Sequence, residues 1–262
     1  MKFTHRFLSR LNPFGNSRKT PYEYLKNAPR YKEMIVPLLD QDFIIADSAS
    51  FYWNYREIFI DEIYRFNSSS DRPRVIDCGS NYGTSIVYFK HLYPHANILG
   101  VEADPNIFNL LASNIKTRNY KNVTLLNKAV MARSEPIKFY CEGADAGRVH
   151  YLEDAKGSVQ VDSIKLDDLI ENQIDLLKVD IEGAETEVIC SSEKLNDVSC
   201  LFIEYHSLKN TEQSLARLLK KLTSSGFRYY IQTQFCPPRP LIEEKLQSGM
   251  DLQLNIFAKR LG

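Results

Sequence analysis

Residues 74–83 read RVIDCGSNYG: a short apolar run, an acidic residue, and two glycines with three residues between them. RVIDCG (74–79) has the make-up of a buried strand closing in a turn. Residues 84–93 then place Ile86, Phe89 and Tyr93 on one helical face, stopped by Pro94. A glycine at such a turn lets the backbone approach a ligand closely and adopt angles closed to other residues. A strand, a glycine turn and a helix in this order open an α/β sheet, so this stretch sets the expected fold class.

The same alternation continues towards the C-terminus. NILGVE (97–102) reads as a second strand, with Asp104 where a helix N-cap belongs, Pro105 at the first helical position, and Ile107, Leu111 and Ile115 at spacings of four. VTLLNKAV (123–130) is the third strand. IKFY (137–140) and VQVDSI (159–164) read as added strands around the glycine-containing loop CEGADAGRVHY (141–151). IDLLKVDI (174–181) is a strongly apolar fourth core strand, followed by a helix starting near Gly183, and CLFIEYH (200–206) is the fifth. Thr211 is expected to cap a helix carrying Leu215, Leu218, Leu219 and Leu222, ended by Gly226. FRYYIQT (227–233) and LQLNIFAKR (252–260) close the chain as strands. Near-continuous apolar strands alternating with helices predict a mostly parallel sheet covered on both faces.

Upstream the pattern differs. Residues 1–20 are basic, and 21–70 are rich in Tyr and Phe; FYWNYREIFIDEIYRF (51–66) is expected to be a helix, with Phe59, Ile63 and Phe66 as its apolar stripe. NSSSDRP (67–73) is a loop by composition, which divides the chain into an N-terminal tail and helical extension (1–70) and an α/β domain (71–262). Residues 1–20 are read as a tail that admits peripheral association with a membrane surface.

The 262 residues are 44% hydrophobic and 25% charged, enough apolar material for a core and incompatible with disorder as the main state. Lys plus Arg and Asp plus Glu both number 33, so the net charge is zero and no nucleic-acid partner is expected. No apolar run approaches the ~20 residues of a membrane span, and residues 1–20 lack a continuous signal-peptide core, so a cytoplasmic protein is expected. Five scattered cysteines, none in a Cys-x-x-Cys pair, fit free thiols in a reducing compartment. Composition is silent on oligomeric state.

The second strand ends in Glu102, where a carboxylate can accept hydrogen bonds from both hydroxyls of a ribose. A dinucleotide site would present G-x-G-x-x-G, whereas here Asn81 takes the place of the middle glycine and Asp77 precedes the turn. Asp77 would repel a pyrophosphate and could receive an amino-acid ammonium. An adenosyl compound with a sulfonium and an amino-acid tail therefore fits better than NAD.

VIDCGSNYG, GVEADP, the NKAV stretch, DLLKVDIEGAE and FIEYH, in this order, resemble the FkbM-type S-adenosylmethionine-dependent methyltransferases. The similarity runs from about residue 51 to the C-terminus. It implies a seven-stranded Rossmann-like fold and transfer of methyl to oxygen, often on sugars or secondary metabolites. The family loop D-x-G-[AS]-N-x-G is met from Asp77 to Gly83. In VEADP, Ala103 replaces a common Pro. The resemblance implies S-adenosylmethionine contacts at Asp77, Gly79, Ser80, Asn81, Gly83, Glu102, Ala129 and Asp180.

Methyl transfer needs an aligned acceptor oxygen and a destination for its proton. Residues two apart on a strand share a face, so Asp180 lies beside Lys178, and Glu204 beside His206. On neighbouring strands, Asp180, Glu182, Glu204 and His206 are expected to converge near the methyl group. His206 is the expected base and Glu204 its orienting carboxylate. No metal-specific spacing is present and no metal ligand is assigned, but the carboxylates and His206 could hold a divalent ion, and Mg²⁺ enters by analogy with other methyltransferases of this fold. Trp53 and Tyr55 could stack on a sugar ring, and loop 141–151, with Gly143, Gly147, Arg148, His150 and Tyr151, could reach over the substrate. The expected acceptor is a sugar or glycan hydroxyl, and a polyketide or other small metabolite is the close alternative. An NAD-dependent oxidoreductase and a non-catalytic nucleoside-binding protein are the alternatives from other classes.

Overall fold

A computed structural model describes residues 20–140, 148–149 and 158–260. The tail at 1–19 and most of the loop 141–151, His150 and Tyr151 included, lie outside the described residues.

After a 3₁₀ turn over Glu23–Asn27, the chain forms a hairpin of β1 (Met34–Leu38) and β2 (Gln41–Ile45), followed by α1 (Ser48–Tyr55). The alternating run then gives β3 (Arg74–Cys78), α2 (Thr84–Leu92), β4 (Asn97–Glu102), α3 (Pro105–Thr117), β5 (Val123–Asn127) and β6 (Ala129–Met131). Short strands β7 (Ile137–Tyr140), β8 (Arg148–Val149), β9 (Ser158–Val161) and β10 (Ser163–Lys165) and the single turn α4 (Leu166–Leu169) intervene. The chain closes with β11 (Ile174–Val179), α5 (Glu185–Ser191), β12 (Val198–Leu208), α6 (Leu215–Ser224), β13 (Phe227–Phe235) and β14 (Met250–Arg260).

Seven strands form one sheet in the order β13-β14-β12-β11-β3-β4-β5, with β14 antiparallel to both neighbours. The chain leaves β3 towards β4 and β5, then returns through β11 on the other side of β3. That reversal opens a crevice at the carboxyl ends of β3 and β11, the place where α/β sheets bind ligands. Strand β3 is buried from Val75 to Cys78 and β11 from Leu176 to Val179, which accounts for their near-continuous apolar sequences.

Asp104 caps α3 as expected, its Oδ1 accepting from Asn106 N at 2.8 Å, with Pro105 at the first position. Three expectations are corrected. The helix of 51–66 runs as α1 into a π-turn over Arg56–Ile60 and stops; Tyr64 and Phe66 are drawn onto Phe202 and Phe89, and this packing overrides helical propensity. VTLLNKAV breaks at Lys128, and β6 leaves the main sheet to pair with β10. The cap of α6 is Ser214 rather than Thr211.

The hairpin escapes the sequence reading. Leu39 and Asp40 both have positive φ, the backbone of a tight two-residue hairpin, without the usual Asn-Gly signal. Its buried face (Val36, Leu38, Phe43, Ile45) shares a core with Tyr82 and Val87 around α2 and with Ile107 of α3. The described segment over residues 22–59 is thereby packed against the sheet's helical layer. Among the described residues no helix is long and apolar enough to cross a membrane, and the described cysteines are free.

Candidate active site

A cavity of about 710 Å³ opens at the crevice between β3 and β11. Its two ends are built by different parts of the chain.

At one end, Gly79 follows β3 with φ +83°. The amides of Gly79 and Ser80 both donate to the carbonyl of Val101, at 2.9 and 3.0 Å, which ties the turn to β4. Glu102, at the tip of β4, accepts from Asn81 N through Oε2 and from Asp104 N through Oε1, both at 2.9 Å. Burial pushes its carboxyl up to about 7, against the pull of those two amides. Gly79, Ser80, Asn81, Glu102 and Ala129 all line the cavity. Thr84, at the start of α2, lines it too; its buried hydroxyl has no hydrogen-bond partner among the described residues.

Asp77 and Gly83 do not line the cavity, and their expected roles change. The Asp77 carboxylate is fully buried, accepts from Ser85 Oγ and lies 3.2 Å from Lys178 Nζ, so its charge is answered from within the protein rather than by a ligand ammonium. Lys178 Nζ also donates to Gly79 O at 2.7 Å and lies 3.4 Å from Asp180 Oδ2. Burial pulls this lysine's pKa down, but the charges around it, Asp77 first, hold it well above the ordinary value. Lys178 is thus a cationic staple between the glycine turn and the end of β11. Gly83 caps α2 at φ +101°, and an added Cβ would stand 2.9 Å from Leu111 Cδ1, so it serves close helix packing.

At the other end, Asp180, Glu182, Glu204 and His206 all line the cavity, as their strand positions predict. One ligand atom each from Asp180, Glu182 and His206 lie within 4.8 Å of one another. His206 Nε2 is 3.7 Å from Glu182 Oε2 and 3.8 Å from Glu204 Oε1, too long for hydrogen bonds. The orienting carboxylate is instead Glu185, whose Oε1 is 2.9 Å from His206 Nδ1. Glu185 also accepts from Gly183 N at 2.8 Å, fixing the bend after β11. Glu204 is occupied by the amide of Gln253, which faces it from β14.

Burial lowers the pKa of His206, but Glu182 and Glu185 outweigh it and hold it well above the ordinary histidine value. The carboxylate in hydrogen-bond reach of the ring is Glu185, not the expected Glu204. Glu204 is raised by burial and by Asp180.

The wall of this end also carries Trp53, Asn54 and Glu57 from α1 and its π-turn, and Gln234 and Gln253 from β13 and β14. Gln234 Nε2 donates to Glu57 Oε1 at 2.8 Å, linking the N-terminal segment to the sheet edge. Trp53 is half exposed beside the cavity, whereas Tyr55 stacks on Phe59 at 5.0 Å and belongs to the packing. Sequence reasoning passed over Thr84, Glu185, Glu57 and the glutamines. Glu185 carried one signal, its place in the first turn after a glycine bend, where an acidic residue reads as helix-dipole chemistry.

The sequence profile described as "Methyltransferase FkbM domain" matches residues 77–229, more than half of the chain. The chain belongs to the FkbM methyltransferase family. Among curated relatives, this FkbM-family chain is 28% identical over 192 residues to "Methyltransferase sdnD" of Sordaria araneosa, covering 56% of this chain and 74% of that one. It is 28% identical over 162 residues to "Methyltransferase 1" of Beauveria bassiana, covering 52% and 64% respectively. A solved methyltransferase FkbM from Methylobacillus flagellatus is similar at 17% identity and TM-score 0.47, over 73% of this chain and 45% of that one. TYW2 of M. jannaschii, solved in complex with AdoMet, is similar at 14% identity and TM-score 0.47, over 89% of each chain. The chain thus spans under half of the M. flagellatus protein and about two thirds of the Beauveria relative.

Proposed function

We propose that this FkbM-family protein is an S-adenosylmethionine-dependent O-methyltransferase acting on a sugar hydroxyl. One observation carries the reading: a part-buried carboxylate beside a glycine turn and a cluster of carboxylates with an imidazole line a single cavity. Glu102 suits a ribose, because two carboxylate oxygens can accept from two vicinal hydroxyls. The Gly79 turn suits close backbone approach, and the unpartnered Thr84 hydroxyl supplies a polar atom awaiting a ligand. When bound, S-adenosylmethionine supplies an electrophilic methyl group on a sulfonium.

The chain's own residues supply the rest. Lys178 holds the turn and the end of β11 in fixed relation, and so sets the distance between the two ends of the cavity. The clustered carboxylates of Asp180 and Glu182 would suit the task of taking an acceptor hydroxyl's proton. The half-exposed Trp53 face, with Asn54, Glu57, Gln234 and Gln253 around it, suits an amphipathic ring bearing several hydroxyls. This wall favours a saccharide over a wholly apolar metabolite. Saccharide acceptors are often carried on lipid, and the basic residues 2–19 would suit work at a membrane surface from the cytoplasmic side.

Calorimetric titration of the purified chain with S-adenosylmethionine, S-adenosylhomocysteine and NAD tests the reading. Micromolar binding of the adenosyl pair, weakened at least tenfold in Glu102→Ala, is expected, followed by methyl incorporation in a screen of saccharide acceptors. Binding of NAD in their place would overturn it.

A further inference from the structure

We infer that β13 is a dimerisation edge: two copies of the chain join antiparallel through this strand, about a two-fold axis at Ile231. The inference stands on the sheet and does not depend on the methyltransferase reading.

The first observation is an undefended edge. β13 ends the seven-stranded sheet, and among the described residues it is paired on one side, with β14. Its outer side therefore presents backbone N–H and C=O groups in a row, a template for another strand. Proteins that keep such an edge single defend it with lysine, proline, an inward charge or a bulge. FRYYIQTQF (227–235) carries no lysine, proline or carboxylate, and its one irregularity lies at the end, between Thr233 and Phe235. Large apolar side chains stand where defending charges would: Tyr230 is 49% exposed and Ile231 41%.

The second observation is that the strand complements itself. From Arg228 to Gln234 every residue except Tyr229 is exposed, and Ile231 is the middle of that run. An antiparallel pair that uses the whole run sets Ile231 against its own copy. Tyr229 then faces Thr233, Tyr230 faces Gln232, and Arg228 faces Gln234. An aromatic residue opposite a β-branched one is a favourable cross-strand pair. Arg228 is the strand's single charge, and this register sets it opposite a neutral amide instead of its own copy. Gln234 donates through Nε2 to Glu57, and its amide oxygen can accept from the facing guanidinium. The chain's zero net charge adds no long-range repulsion between copies. A second copy is the occupant these features select, because one strand supplies both halves of every pair.

The pairing reaches the cavity. Gln234 lines it, so Arg228 of the partner subunit comes to its wall. Each subunit thereby adds a cation to the other's acceptor end.

Sedimentation velocity of the full chain across the micromolar range tests the inference. A species of twice 30.3 kDa is expected, its share rising with concentration. Ile231→Lys sets two like charges face to face and should weaken the dimer at least tenfold. Facing Cα atoms of an antiparallel pair lie about 4.5–5.5 Å apart, within disulfide reach. Ile231→Cys should therefore link two chains under mild oxidation, whereas the unaltered chain should not. Thr233→Cys should link only when Tyr229→Cys is present as well. Hydrogen exchange on the unaltered chain reads the same edge without any variant: amides of 228–234 should gain protection as concentration rises. A monomer throughout the range, a dimer that Ile231→Lys leaves intact, or dimer-dependent protection away from β13 would overturn the inference.

Discussion

An added Cβ at Gly79 would stand 1.8 Å from the main-chain oxygen of Asp180. The glycine turn after β3 and the first residue after β11 thus touch backbone to backbone, and no side chain fits between them. The glycine turn and the end of the strand that carries the carboxylates are thus in direct contact, joined also by Lys178. Gly79→Ala is expected to force them apart, at a cost of roughly 1–3 kcal/mol in denaturant unfolding. Adenosyl binding in calorimetry should fall with it. An unchanged affinity in the substituted protein would show that the turn does not approach the ligand.

If Glu102 holds the ribose as proposed, cofactor binding is expected to depend on pH. Folding raises its carboxyl from the ordinary 4.5 to about 7, so the ligand-free protein loses stability from this group as pH climbs between those values. Accepting from two ribose hydroxyls would need the ionised form, which is complete only above that range. The dissociation constant for S-adenosylhomocysteine should be about tenfold weaker at pH 6 than at pH 8. In Glu102→Gln that pH dependence should vanish, along with part of the affinity.

Lys178 is buried together with Asp77, and removing one leaves the other uncompensated. Lys178→Met is expected to destabilise by about 3–5 kcal/mol. Adding Asp77→Asn to it should restore a substantial part, because the stranded charge is then gone. A double variant no more stable than the single one would show that the pair's worth lies elsewhere.

Trp53 presents a half-exposed ring at the acceptor end, and the residues at the Glu102 end of the cavity come from other segments. Trp53→Ala is therefore expected to raise KM for a saccharide acceptor several-fold while the affinity for S-adenosylhomocysteine stays constant. A loss confined to cofactor affinity would place the ring at the wrong end of the cavity.

What could be read in advance follows the range of the forces involved. The Asp104–Pro105 cap and the run of β3, β4 and β11 are local patterns, set by hydrogen bonds and burial within a few residues, and they were legible. Residues 61–66 have the spacing of a helix, yet the attraction of Tyr64 to Phe202 decides their path, and that partner lies on another strand. The same holds for function. Gly79, Glu102 and Asp180 announce themselves by position. Asp77 was given to a ligand because its partner Lys178 comes from a different strand. Glu185 was passed over because its value lies in what it holds, the ring of His206, rather than in its own exposure.

The cavity's two ends have separate origins in the chain. The Glu102 end comes from the turns after β3 and β4, with Ala129 beside them; the opposite wall comes from α1, its π-turn, the β13–β14 region and the ends of β11 and β12. Lys178 and the Gly79–Asp180 contact lie at the seam. On the proposed reading, recognition of the methyl recipient is a cassette laid over a fixed engine. Exchanging residues 48–60 and 234–253 between relatives would redirect the enzyme to a new recipient while leaving its donor chemistry where it stands.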